Sequence, residues 1–387
     1  MLENYAGKLT EAVLKGFGRN VTDADWDTPN YNMLNALKTN VWQFSAAKTH
    51  TQLRDMGKAL VAPDGTTTRS FNDFKIEAQR IAGKQVSWLR TEYDTAIGGG
   101  QFAGQWVDIQ ARKAALPLLM FDAVIDGHTT DLCLSLDGII KPVDDPFVKK
   151  YYPPNHYNER LVIRQLAEGK VTPDNETPQP DIPKMFSTNL AESGLVFPLD
   201  HPYYKDIPAH IVNNATLYMP EGEQYLIRYK SADGHILRIH RQTELQGKSD
   251  LADLIKVSKA DVDRGVTVDI LPEIHAAEKR LRAKLLEGVK ANMNPDRRVS
   301  SAEGVFYDEV EKPTIPLNYS KLQQRIAHGA KQAENVTILL EEDYSADTLK
   351  QLASERFRNV KGLRKITFVN KDGEFTEYLK MTKGDKS

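Results

Sequence analysis

Along the first sixty positions, apolar residues recur at three- and four-residue spacing: Leu9, Val13, Leu14 and Phe17, then Met33, Leu34, Leu37 and Val41. That period lines one face of a helix and predicts a largely helical start to the chain. Thr22-Asp23-Ala24-Asp25 and Asp27-Thr28-Pro29 offer capping side chains and a proline suited to a first helical turn. Pro63-Asp64-Gly65 reads as a turn. Ser70 then opens a further helix, with Phe71, Phe74, Ala78 and Ile81 on one face, running to about Leu89. A helix around Trp88–Tyr93 meets Gly98-Gly99-Gly100, whose glycines disfavour helix and suit close packing or a hinge. No strand precedes this trio and no Gly-Lys-Ser or Gly-Lys-Thr follows it, which argues against a phosphate-binding loop. Phe102, Trp106 and Ile109 resume the helical spacing, Pro117 ends it, and Leu118 to Ile125 read as a core strand.

From Asp126 to Leu166 the pattern changes. Asp126-Gly127, Asp137-Gly138, Pro142, Pro146 and Pro153-Pro154 break the stretch into short pieces, among them small strands at Gly138–Ile140 and Leu161–Ile163. Such a piece must be a compact knot of turns, and Phe147, Tyr151, Tyr152 and Tyr157 provide aromatic area to pack it. Beyond Leu166 the run EGKVTPDNETPQPDIP has four prolines and almost no apolar residues, so a linker and domain boundary are expected there. An irregular stretch continues to about residue 214. After it, Tyr225–Tyr229 and His235–His240 flank Ala232-Asp233-Gly234 as a β-hairpin. The rest alternates helical and strand patterns: helix at 251–262, strand at 266–271, helix through Leu281, Leu285 and Leu286, strand at 305–312, helix at 322–333, strand at 336–340, helix at 346–356 and strand at 365–369. The expected organisation is α+β and multi-domain. A helical arm with a small turn-rich β knot occupies 1–166, an irregular linker 167–214, and an α/β domain 215–387.

Composition narrows the functional classes. At 40% hydrophobic and 27% charged residues, the 387-residue chain has globular rather than disordered composition. It lacks any run of 18 apolar residues, so no transmembrane helix is expected. The start MLENYAGKLTEAVLKGF has no basic segment followed by an apolar one, so no signal peptide is expected. A single cysteine precludes an intrachain disulfide and suits a reducing cytoplasm. Residues 271–387 carry 21 Lys and Arg against 18 Asp and Glu, too small an excess to imply nucleic-acid binding by charge alone.

The knot carries a resemblance. Asp126, Cys133, Leu136-Asp137-Gly138, Asp145-Pro146-Phe147 and Pro153-Pro154-Asn155 fall at the positions of the phage Mu F-like head morphogenesis (minor head) family pattern. Arg90-Thr91-Glu92, on a helix upstream of the knot, is also similar to that family, and the likeness covers residues 85–166 best. It implies a minor head protein acting in capsid assembly, with portal and capsid proteins as partners, in the virion and host cytoplasm and not in a membrane. Where the family reads Cys-Arg-Cys, this chain has Glu159-Arg160-Leu161. Cys133, His156 and His128 are the soft ligands left, and the knot is expected to hold no metal.

The C-terminal order resembles the nuclease-like toxin domains appended to phage head proteins, and the restriction-endonuclease core of Pro-Asp followed by acid-x-Lys. Here the corresponding residues are Asn294-Pro295-Asp296, the strand Val305–Lys312 and the helix bearing Gly329-Ala330-Lys331-Gln332. Glu309 and Glu311 alternate on the strand and so share a face, whereas Lys312 falls on the other. Carboxylates at adjoining strand ends can hold a divalent cation that activates water, while a lysine or glutamine orients the nucleophile. The expected catalytic set is Asp296, Glu309, Glu311, Lys312 and Gln332, with Asp296, Glu309 and Glu311 as ligands to Mg²⁺ or Mn²⁺ and nucleic acid as a partner. Three readings stay open: a minor head protein with a nuclease-like appendage, a polymorphic toxin or nuclease effector that cleaves DNA or tRNA, or a dead nuclease fold that simply binds a partner.

Overall fold

A computed structural model of the chain describes residues 1–312 and 319–380. These form two compact units, the first over Met1–Met219 and the second starting at Pro220. No helix among the described residues is long and apolar enough to cross a membrane.

The first unit opens with α1 (Leu2–Phe17), α2 (Pro29–Ala59), α3 (Phe71–Ser87) and α4 (Leu89–Arg112). Thr28 caps α2 by accepting from the Tyr31 amide at 3.2 Å, and Pro29 fills the first helical position, where no amide is needed. The glycine trio does not break a helix; it lies inside the continuous α4. A Cβ on Gly100 would sit 2.4 Å from the Val13 carbonyl oxygen, and one on Gly16 would sit 1.9 Å from that of Ile97. Absent side chains therefore let α1 and α4 touch backbone to backbone, which offsets the poor helix propensity of glycine. Of the Arg90-Thr91-Glu92 triplet, Arg90 lies on the solvated face beside Asp94, while Glu92 is buried against Lys48 of α2.

The knot follows as β1 (Leu118–Ala123), α5 (Asp131–Leu136), β2 (Ile140–Pro142), α6 (Pro146–Tyr151) and β3 (Leu161–Leu166). The strands form an antiparallel sheet in the order β2-β1-β3. Leu119, Phe121 and Ala123 alternate into the core from β1, and Phe147, Tyr151 and Tyr152 bring their rings to the same core. Tyr152 satisfies its hydroxyl by donating to the Phe102 carbonyl at 3.1 Å.

The proline-rich segment expected as a linker belongs to this unit instead. Thr172 exchanges hydrogen bonds with Ile140, and Pro180 accepts from the Tyr151 hydroxyl at 3.0 Å. Phe186, Leu190, Val196 and Phe197 are buried, and Phe197 stacks on Phe44 of α2 at 3.7 Å. The fully buried Asn40 satisfies this irregular backbone, accepting from the amides of Val196 and Phe197 and donating to the Phe197 carbonyl. Irregular chain is held down where single apolar anchors and one amide side chain meet its needs. After the short α7 (Ala209–Asn213), the boundary lies at Met219/Pro220, close to the expected start of the C-terminal domain at 215 and far from the break expected near residue 167.

The second unit runs β4 (Tyr225–Lys230), β5 (Ile236–His240), α8 (Arg241–Gln246), α9 (Leu251–Asp263), β6 (Thr267–Ile270), α10 (Lys279–Leu285), β7 (Arg297–Ser301) and β8 (Gly304–Glu311). It ends with α11 (Tyr319–Gln332), β9 (Asn335–Leu339), α12 (Ala346–Asn359), β10 (Lys365–Val369) and β11 (Phe375–Leu379). Among the described residues, one mixed sheet has the order β11-β10-β9-β8-β7-β6-β5-β4. Pairs β5/β6, β8/β9 and β9/β10 are parallel, and the others are antiparallel. The unit mixes helices with one large mixed sheet, and β7 and β11 are strands beyond those expected. β7 lacked an apolar signal because its alternating arginines find partners on opposite faces. Arg297 is fully buried and donates to Asp308 on β8, with Asp261 of α9 also at 2.7 Å, whereas Arg298 pairs with Asp269 of β6.

Candidate active site

Strands β6, β7 and β8 are neighbours, and their ends bring distant residues together. Asp296 immediately precedes β7, opposite the last turn of pairing with β8, where Arg297 faces Asp308. Its carbonyl accepts from Leu271, which follows β6, at 2.8 Å. Its amide donates to a Glu309 carboxylate oxygen at 3.2 Å, and its own carboxylate accepts from the Val310 amide at 3.1 Å. The backbone thus fixes the two carboxylates beside each other. On β8 the alternation works as expected: Asp308 turns to the Arg297 network, and Glu309 and Glu311 turn to a cleft of about 830 Å³.

All five residues expected from the sequence, Asp296, Glu309, Glu311, Lys312 and Gln332, line that cleft. Their surroundings separate their roles. Lys312 is 43% exposed at the rim and tied to Asp253 at 2.6 Å. The lysine at the acids is instead Lys248, from the loop after α8; its ammonium lies 3.4 Å from Asp296 and 3.2 Å from Glu273. Glu311 is held by His328 at 2.5 Å and by Arg325 at 3.3 Å, both from α11. Gln332, one turn further along that helix, accepts from the Asn294 amide at 3.0 Å and so anchors the loop carrying Asp296. Lys331 points to solvent and takes no part. Gly329 allows α11 to lie this close, since a Cβ there would come 2.9 Å from Val336 on β9.

The electrostatics are those of an acidic site that its bases neutralise only in part. Among the described lining residues, six carboxylates face Lys248, Lys312, Arg325 and His328. Burial first, then the charges of Asp296 and Glu311, push the Glu309 carboxyl up to about 9. Burial also raises Asp296, against the opposing pull of Lys248. Burial disfavours the Lys248 ammonium, but Asp296 and Glu273 outweigh it and hold the group above its ordinary value. Carboxylate oxygens are the hard donors that Mg²⁺ or Mn²⁺ takes; among the described residues the backbone sets Asp296 and Glu309 side by side, whereas Asp296, Glu309 and Glu311 together do not gather three ligand atoms within 4.8 Å of one another.

Sequence reasoning missed Lys248, Glu273, Arg325 and His328. The α11 pair had a readable signal, because positions 325, 328 and 332 share a helical face. Lys248 had none. Comparison of the chain with protein-family models, with curated proteins and with solved structures finds no match.

Proposed function

We propose that the second unit is a divalent-cation-dependent nuclease-type domain and that the first unit serves a phage minor head protein. The observation that carries the first half is the backbone-locked pair Asp296 and Glu309 beside the partly buried Lys248 in an acidic cleft. Asp296 and Glu309 would hold the cation, with Glu311 at the edge of the same site. When bound, that cation supplies charge for a phosphodiester and for the water that attacks it. Lys248 stands where an ammonium can hold a phosphoryl oxygen and offset the negative charge gathering on it during P–O cleavage. Arg325 and His328 hold Glu311 in place, and Gln332 steadies the Asp296 loop. The excess of acidic over basic groups in the lining would disfavour a phosphate in the metal-free cleft, so substrate and cation enter as linked events.

The head-protein half rests on the sequence resemblance of residues 85–166, with the helical arm and knot as its expected platform. Portal and capsid proteins are its proposed partners. Incubating the full chain with DNA and with tRNA, in Mg²⁺ and in Mn²⁺, tests the enzymatic half. Cleavage should require one of these ions and be lost in Asp296→Ala and Lys248→Met. Absence of cleavage with every ion would leave a nuclease-like fold that binds without cutting.

A further inference from the structure

The first unit brings together three side chains that the chain separates. Cys133 sits in the first turn of α5 and is fully buried. His156 and Glu159 come from the loop between α6 and β3. Cys133 Sγ lies 3.2 Å from His156 Nε2 and 3.0 Å from Glu159 Oε1, and those last two atoms are 3.6 Å apart. Ligands at about 2.0–2.3 Å from a tetrahedral ion are separated by roughly 3.3–3.6 Å, so these atoms already approximate one face of such a tetrahedron.

Neighbouring groups aim the donors at that shared point. The Tyr157 carbonyl, 2.7 Å from His156 Nδ1, can only accept, so Nδ1 carries the hydrogen and Nε2 is the ring nitrogen turned toward Cys133 and Glu159. Glu159 Oε2 accepts from the Asn155 amide at 2.6 Å, which orients Oε1 toward the thiol. The Thr130 hydroxyl, 3.1 Å from Nε2 and 3.3 Å from Sγ, closes the polar shell. His156 and Glu159 also line a cleft of about 620 Å³, giving an ion an entry route and a water for its fourth position.

We propose that Cys133, His156 and Glu159 form a zinc site that pins α5 to the loop before β3. Thiolate, imidazole and carboxylate together match zinc, whereas the all-carboxylate cleft of the second unit matches harder ions. Binding replaces the thiol proton with a sulfur–zinc bond and any proton on His156 Nε2 with a nitrogen–zinc bond, and these protons leave to solvent. Sequence reasoning set this stretch down as metal-free because it counted cysteines and histidines; Glu159, in a position read as a lost cysteine, is the third donor.

Because Cys133 is the only cysteine, a sulfur-to-cobalt(II) band reports this site alone. The full chain, stripped with chelator and given one equivalent of Co²⁺, should show a sulfur-to-cobalt charge-transfer band, and zinc should displace it. The protein as purified should retain one equivalent of zinc after dialysis. Cys133→Ser should lose both signals, and Asp296→Ala should keep both, which separates this site from the nuclease reading. Glu159→Cys guards against a folding failure, because a second thiolate should strengthen the band and slow zinc loss. No band in the wild type, or zinc retained at full stoichiometry by Cys133→Ser, would overturn the proposal.

Discussion

Lys48 and Glu92 form an ion pair between α2 and α4 in which both side chains are almost wholly buried, and the Tyr5 hydroxyl donates to the same carboxylate. Burial pulls the Lys48 ammonium below its ordinary value despite the partner, so each charge depends on the other for compensation. Lys48→Met alone should destabilise the first unit by about 3–5 kcal/mol, since Glu92 would be stranded. The double variant Lys48→Met/Glu92→Leu should recover most of that loss. Urea unfolding of the four members of the cycle measures it, and additive losses would refute the coupling.

Gly329 and Val336 set the distance between α11 and the sheet. A methyl at 329 would meet a valine methyl at 2.9 Å and the Glu311 chain at 3.4 Å. Gly329→Ala should therefore cost about 1–3 kcal/mol despite the better helix propensity of alanine. Adding Val336→Ala should make the pair less damaging than the sum of its singles, as thermal melts of the three variants would show.

His240 gives the second unit an acid-sensitive point. Its Nδ1 caps α8 by accepting from the Gln242 amide at 3.1 Å, which requires that nitrogen to be unprotonated. Burial first, then Arg241, lowers the group to about 3. Between that value and an unfolded value near 6.5, the unfolded chain binds the extra proton. The stability contribution is thus complete above about 6.5 and lost as pH falls toward 3. His240→Asn keeps an acceptor and should flatten this part of the stability–pH curve. An unchanged slope would assign the acid sensitivity to other groups.

Much of the second unit was legible because its signals are local. Alternation on β8 put Glu309 and Glu311 on one face, and helical spacing marked α9, α11 and α12. What escaped depends on pairing over distance. β7 is held by Arg297 and Arg298, whose partners Asp261, Asp269 and Asp308 are spread over three elements. Lys248 reaches Asp296 across 48 positions through the parallel crossover from β5 to β6, and no spacing rule encodes that. Proline content misplaced the domain boundary because widely spaced anchors such as Phe186 and Phe197 carry no period. Nothing in the local pattern of α4 marks Glu92 as the partner of Lys48, 44 positions earlier in the chain.

The candidate nuclease cleft yields a prediction that does not depend on finding its substrate. Without a cation, Asp296 and Glu309 are buried beside each other, and both are held above the usual carboxylate range. A cation that binds only the folded state stabilises by mass action, by about 2.7 kcal/mol at a hundredfold excess over Kd. For a unit of this size, that is a rise in melting temperature of roughly 5–10 °C. Mn²⁺ should produce this rise in the second unit's transition of the full chain. Asp296→Asn keeps an oxygen for the Val310 amide but removes one negative ligand, so the Mn²⁺-dependent rise should largely vanish. The same substitution removes a charge facing Glu309, so the metal-free variant should melt no lower than the wild type. A full Mn²⁺ shift in Asp296→Asn would move the cation away from this pair and with it the basis for a nuclease.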